Sequence, residues 1–195
     1  MPDGSESLMK VKRSSVLSAA QVLQANSLRP VKLTDLSFRG KFVLWGKGAQ
    51  GADAFNEAIR KHLGLDLPQR CGDVTEAGAF LAIWANPNRW YVVSEQSDEP
   101  KLAAALASSG QVNMSVTDGQ CCFNLEGAFA VDLLKKGCSL NFSETTFSSG
   151  QCLQTRLAIT KVFLHRRSST SFDIYVERSY GEFIWNWLVD AAQEF

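Results

Sequence analysis

The residues best suited to chemistry in this chain are one glycine loop, five cysteines and two histidines. Gly46-Lys47-Gly48-Ala49-Gln50-Gly51 has the GxGxxG form that, between a parallel strand and a helix, lets the backbone approach a pyrophosphate. That use requires an aliphatic strand buried on both faces before the loop and a second strand ending at an acidic residue about 20 positions on. The preceding run, KFVLW, is short and aromatic-rich, and the place for the second strand, residues 71–78, offers Asp73 and Glu76 between Gly72 and Gly78 but no β run. The loop therefore reads as a tight strand-to-helix turn. Cys71, Cys121, Cys122, Cys138 and Cys152 include no CxxC pair, and the adjacent Cys121 and Cys122 sit in a strand-like stretch that sends them to opposite faces. They read as buried, reduced thiols. His62 falls in the last turn of a helix and His165 at a polar strand end beside Arg166 and Arg167, so neither is placed as a base for a nucleophile. No catalytic, cofactor-binding or metal-ligating residue is nominated.

The elements that would position these groups belong to one domain. The chain has 195 residues, enough to bury a core without staples, and 20 basic against 20 acidic side chains give no field to attract nucleic acid. Residues 1–14 are polar and mixed in charge, an expected flexible tail before a single domain over 15–195. With no leader-like or membrane-spanning run, the expected location is cytoplasmic. Helices are predicted over residues 15–26, 52–63 (closed by Gly64), 101–109 after Pro100 (closed by Gly110) and 128–137, where Gly137 reads as a left-handed cap. Asn86-Pro87-Asn88 turns a hairpin over residues 80–94, Asp118-Gly119 turns a second between strands at 111–117 and 120–125, and strands follow at 153–165 and 172–178. Hairpins mixed with single helices predict an α+β fold with largely antiparallel sheet. A short echo between residues 40–59 and 119–137 (glycine, strand, glycine, Ala-rich helix) predicts two pseudo-repeated halves, about 30–110 and 111–195.

The final helix, opened by a Ser179/Glu182 capping-box spacing, carries more apolar surface than one core face needs. Phe183, Ile184, Trp187, Leu188 and Ala191 form a broad stripe toward the core, and Trp185, Val189 and Ala192 form a second on the adjoining side. That second stripe is either buried on two sides within the domain or meets a partner chain, which makes Trp185, Val189 and Ala192 the interface candidates. On the interface reading, Trp185→Asp weakens assembly by about 2 to 4 kcal/mol without unfolding the subunit.

Residues 125–142 (LEGAFAVDLLKKGCSLNF), 147–166 (FSSGQCLQTRLAITKVFLHR) and 175–195 (YVERSYGEFIWNWLVDAAQEF), with the stretches at 83–94 and 112–127, resemble in order and spacing the gamma subunit of heterotetrameric sarcosine oxidase. The resemblance spans roughly residues 30–195 and is weak before 80. It implies a fold like the tetrahydrofolate-binding domain of the glycine-cleavage T-protein, and a cofactor-free structural role beside alpha, beta and delta partner subunits. It implies FAD, FMN, NAD, tetrahydrofolate and zinc in those partners. The reaction implied for the complex is oxidative demethylation of sarcosine to glycine, with the one-carbon unit passed to tetrahydrofolate. The alternative is an independent folate-binding protein or aminomethyltransferase-like enzyme of the same fold. Related folate-binding proteins carry a Lys-Gly-Cys motif, but after Lys136-Gly137-Cys138 this chain departs from it, with Ser139, Leu140 and Asn141 next.

Overall fold

The computed structural model describes residues 13–19, 21, 31–46 and 52–195. Ten strands form two five-stranded sheets, and every strand pair among the described residues is antiparallel. The first sheet has the order β3(Val74–Ala77), β4(Phe80–Asn86), β5(Arg89–Ser94), β2(Gly40–Trp45), β6(Asn113–Ser115). The second has β1(Val31–Asp35), β7(Gln120–Gly127), β10(Ser171–Glu177), β9(Thr160–Ser168), β8(Cys152–Leu157). Among the described residues four helices have defined bounds: α1(Ala52–Leu63), α2(Glu99–Ser109), α3(Ala130–Lys135) and α4(Gly181–Ala192).

The chain order repeats. In each half a strand is followed by a helix, a three-stranded meander whose last strand returns to pair with the first, and a closing helix. The leading strand of each unit crosses over: β1, before the first unit, pairs with β7 of the second, and β6, before the second unit, pairs with β2 of the first. Each sheet is therefore completed by the other half's strand.

Side-chain periodicity sets the layers. Phe55, Ile59 and Leu63 recur at four-residue spacing on α1 and pack with Leu102 and Leu106 of α2 on Phe42, Leu44, Ala82 and Val92 of the first sheet. On the second sheet Phe123, Leu125, Phe172, Ile174 and Val176 point toward α3 and α4, following the period-two rule. The remaining faces, carrying Leu81, Ile83 and Val93 on one side and Cys122, Cys152 and Tyr175 on the other, meet in a third cluster. The order of layers is helices, sheet, sheet, helices.

Several elements depart from the sequence expectations. Asp118-Gly119 does not close a hairpin: it lies in a 3-10 turn over Thr117–Gly119, and β6 and β7 on either side belong to different sheets. Its Gly119 N–H donates to Val116, while Val116 N–H donates to the Lys41 carbonyl, which holds the crossover to the first sheet. The run at 153–165 is two strands joined through Ala158, a non-glycine residue at φ 50° whose N–H donates to the Gly137 carbonyl at 2.9 Å. Gly64 and Gly110 do end α1 and α2 at positive φ (66° and 65°), as expected of αL caps. Gly137 has no such conformation; its need is space, since an added Cβ would lie 2.6 Å from the Trp187 ring. The Ser179/Glu182 capping box does not form, because a 3-10 turn over Arg178–Tyr180 precedes α4 and Gly181 N–H donates to the Arg178 carbonyl. Residues 71–78 do hold a strand, β3, a short edge strand whose partly exposed VTEA sequence lacks an apolar run. Residues 1–12 of the expected tail, and residues 20 and 22–26 of the expected first helix, lie outside the described residues. At the end of that tail Arg13 pairs with Glu99 and Asp118, and the Ser14 carbonyl accepts from Arg178.

Candidate functional site

Polar chemistry is concentrated on the inner face of the second sheet, on side chains that the sequence scattered. In the strand register Cys152 lies opposite His165, His165 opposite Asp173, and Asp173 opposite Asn124. Residues directly opposite in antiparallel strands share a face, so a thiol, an imidazole and a carboxylate stand in that order on three adjacent strands. All three residues are buried. A nucleophile, base and orienter in line is the arrangement acyl-transfer enzymes use, and no sequence motif announced it. His165 was expected at a strand end; it lies inside β9. The signal that could have found the row was the break at Ala158-Ile159, which folds residues 152–165 back on themselves.

The hydrogen bonds show a different use for these groups. Asp173 Oδ1 accepts from Asn124 Nδ2 at 2.7 Å and Oδ2 accepts from Arg39 Nη1 at 2.9 Å, so the carboxylate faces away from the histidine in bonding terms. His165 Nδ1 is buried with no hydrogen-bond partner among the described residues. Burial, reinforced by the Arg167 charge and opposed by Asp173, holds the His165 pKa down to about 4, so the imidazole is neutral at pH 7. Burial also pushes the Cys152 thiol well above its usual value, and the Asp173 charge adds to that. A thiolate–imidazolium pair needs both shifts in the opposite sense. The row is a protonated thiol and a neutral imidazole beside a carboxylate paired with Arg39.

Arg39 is the hinge of this centre. It comes from the turn between β1 and β2, and while Nη1 holds Asp173, Nη2 pairs with Glu95 at 2.6 Å. Burial opposes its charge, but the Glu95 hydrogen bond and the Asp173 charge outweigh that and keep it cationic. Lys41, fully buried, donates from Nζ to the carbonyls of Ser37 at 2.7 Å and Arg39 at 2.8 Å, closing the turn that carries Arg39. Between the sheets, Tyr91, Phe163 and Tyr175 leave a cavity of about 10 Å³, room for at most one water.

The other sequence candidates fall elsewhere. Cys121 packs in the helix-side core and Cys122 in the inter-sheet cluster, on opposite faces as expected. Cys138 is buried, its sulfur 3.6 Å from Thr155 Oγ1, and Cys71 is exposed. Among the described residues no three His, Cys, Asp or Glu side chains converge in a way that could hold a metal ion. At the glycine loop, Lys47 to Gly51 lie outside the described residues; β2 before it runs antiparallel to both neighbours, which a dinucleotide-binding sheet does not allow.

The interface candidates need correction. Trp185, Val189 and Ala192 are buried inside the chain: the Trp185 ring meets Phe123 edge-on at 5.1 Å, and its indole N–H donates to the Gln21 carbonyl at 3.3 Å. The core direction of α4 runs between the two apolar stripes, so Ile184 and Leu188 share it with Trp185 and Val189, and Phe183 turns outward, 39% exposed. The segment around residues 16–21 covers what the helix alone left open: Leu17 joins this core and Gln21 donates to Glu182 and Asn186.

Two stacked antiparallel sheets under helices, built from two units that exchange their leading strands, define the class by fold. Glycine cleavage system aminomethyltransferase T from Bartonella henselae shares it, with a TM-score of 0.59 at 13% identity over 87% of this chain and 48% of that one. Within that class, the family model described as sarcosine oxidase, gamma subunit family matches residues 47–194, and the chain belongs to this family. A curated relative, sarcosine oxidase subunit gamma of Corynebacterium sp. (strain U-96), is 25% identical over 193 residues, covering 95% of this chain and 92% of its own length. A chain of the heterotetrameric sarcosine oxidase structure from Corynebacterium sp. U-96 superposes with a TM-score of 0.77 at 24% identity, covering 91% of each.

Among the described residues, no helix is long and apolar enough to cross a membrane.

Proposed function

We propose that this chain is a non-catalytic structural subunit of a heterotetrameric sarcosine oxidase, with alpha, beta and delta chains as its partners. Membership of the gamma family carries the reading, and the near full-length likeness to a chain of a heterotetramer supports it. In the complex, sarcosine is oxidatively demethylated to glycine and the one-carbon unit passes to tetrahydrofolate. FAD, FMN, NAD, tetrahydrofolate and zinc belong to the partner chains. The inner-face chemistry fits this division. A sealed thiol held protonated, a neutral imidazole and a carboxylate spent on Arg39 and Asn124 serve the joint between two sheets, not a reaction. Free thiols at all five cysteines fit a reducing compartment, and a cytoplasmic complex is part of the same reading.

The test is the assembled complex. Omitting this chain should lower recovery of the assembled oxidase on size exclusion. Complexes carrying Cys152→Ser or His165→Asn should keep kcat within about twofold, whereas a fall of about a thousandfold with assembly intact would assign chemistry to this chain. Folate titration of the isolated chain separates the alternative, since tight saturable binding would mark an independent folate protein.

A further inference from the structure

The two sheets part at one end, and the gap there is a pocket of about 140 Å³ with an arginine on either side: Arg39 from the β1–β2 turn and Arg167 from β9. Its floor is apolar, made by Leu81, Val93 and Tyr175. Each arginine rests on a glutamate that is mostly in water. Arg39 Nη2 meets Glu95, whose side chain is 60% exposed, and Arg167 Nη1 meets Glu76, 56% exposed. A carboxylate mostly in water holds its partner less firmly than a buried one and can be exchanged. Arg39 is itself fixed by Asp173 through Nη1, so its fork cannot swing away. The Nε–H on the remaining edge of the guanidinium is buried and has no hydrogen-bond partner among the described residues. Glu95 thus uses one donor of an edge that offers two, Nε and Nη2 side by side, the geometry that takes a carboxylate bidentately.

We propose that this pocket binds a short aliphatic monocarboxylate, its two oxygens on Nε and Nη2 of Arg39, its carbons on the Leu81–Val93–Tyr175 floor, and Arg167 closing the opposite wall. Glu95 and Glu76 are the resting occupants of the arginines and move into solvent when the ligand enters. A dianion is excluded by the charge of Glu76, Glu95 and Asp173 around only two arginines, and a cation finds both carboxylates already paired. The size fits a few carbon atoms beyond the carboxylate. The proposal is independent of the reading of the chain as an oxidase subunit.

The experiment uses the full chain, uniformly ¹⁵N-labelled, with the arginine Nε–H signals followed as sodium propionate is added against sodium chloride at equal ionic strength. Propionate should shift the Arg39 signal saturably, with a midpoint on the order of millimolar, and chloride should not. Glu95→Gln removes the resting competitor and should tighten binding by about threefold or more, and Arg167→Gln should weaken it by about tenfold. Both changes are at exposed ends of surface pairs, so folding is not at stake. Equal shifts with chloride, or no tightening in Glu95→Gln, overturn the proposal. Glycine serves as a second probe. If it binds like propionate the carboxylate alone is recognised, as proposed; if glycine binds and propionate does not, the pocket selects an amino group and the proposed class is wrong.

Discussion

The two faces of the second sheet are built from the same strands and solve burial in opposite ways. On the helix side, Phe123, Leu125, Phe172, Ile174, Val176 and Leu164 meet Trp185, Leu188 and the rest of α4 in an apolar layer. On the sheet side, one residue along each strand, Cys122 and Cys152 meet apolar residues of the first sheet, and Asn124, Asp173 and His165 share their face. The apolar face gains from area removed from water and tolerates any partner of the right shape. On the polar face the buried charge needs a partner of its own. The partner of Asp173 is Arg39, supplied by the other half of the chain. That dependence makes the inner face specific where the outer face is merely adhesive, and it fixes how one sheet lies on the other.

The contrast can be broken first on the apolar side. Trp185→Asp places an unpaired carboxylate where the ring meets Phe123, and the subunit should unfold outright, losing more than about 4 kcal/mol in a denaturant titration. That replaces the expectation of a folded subunit with weakened assembly. On the polar side Arg39→Met strips Asp173 of its cation and should cost about 3 kcal/mol by the same measurement. A double variant that also replaces Asp173 by Asn should recover much of the loss, since the penalty lies in the orphaned charge.

The histidine gives a smaller, pH-dependent effect. Because the folded state holds the His165 pKa down at about 4 while the unfolded chain titrates near its ordinary value of about 6.5, the unfolded state binds more protons in between. Stability therefore rises with pH through that window, and acidification from pH 7 to 4 should remove up to about 3 kcal/mol through this group. His165→Asn should flatten the slope of stability against pH between 4 and 6.5 relative to the parent; an unchanged slope would mean that the imidazole is not the group responsible. The smallest effect is expected where neither face is involved. Ala158 turns β8 into β9 at φ 50°, and Ala158→Gly should raise stability by up to about 1 kcal/mol, read as a higher denaturant midpoint with unchanged slope.

Local signals carried far in this chain. The 52–63 helix, the 80–94 hairpin, the glycine stops at 64 and 110, and the antiparallel α+β class were all legible, because period, turn chemistry and caps act over a few residues. The echo between residues 40–59 and 119–137 marks the first strand and helix of two equivalent units. Asp118-Gly119 misled because a turn signal says that the chain reverses and not which sheet receives each arm. The surplus on the last helix was left between burial within the domain and a partner interface for a related reason. A helical wheel shows how much apolar surface exists, and the segment around Leu17 and Gln21 that covers part of it lies some 160 residues away.

By itself the sequence determined much of the inventory: the helices and most of the strands, four of the five cysteines as core residues with Cys71 exposed instead, and a resemblance strong enough to name a family. Only the tertiary structure decided what Cys152, His165, Asp173 and Arg39 do. Their meeting depends on strand register and on a crossover between halves, long-range pairings that no local propensity encodes, and burial then raises the pKa of the Cys152 thiol and lowers that of the His165 imidazole.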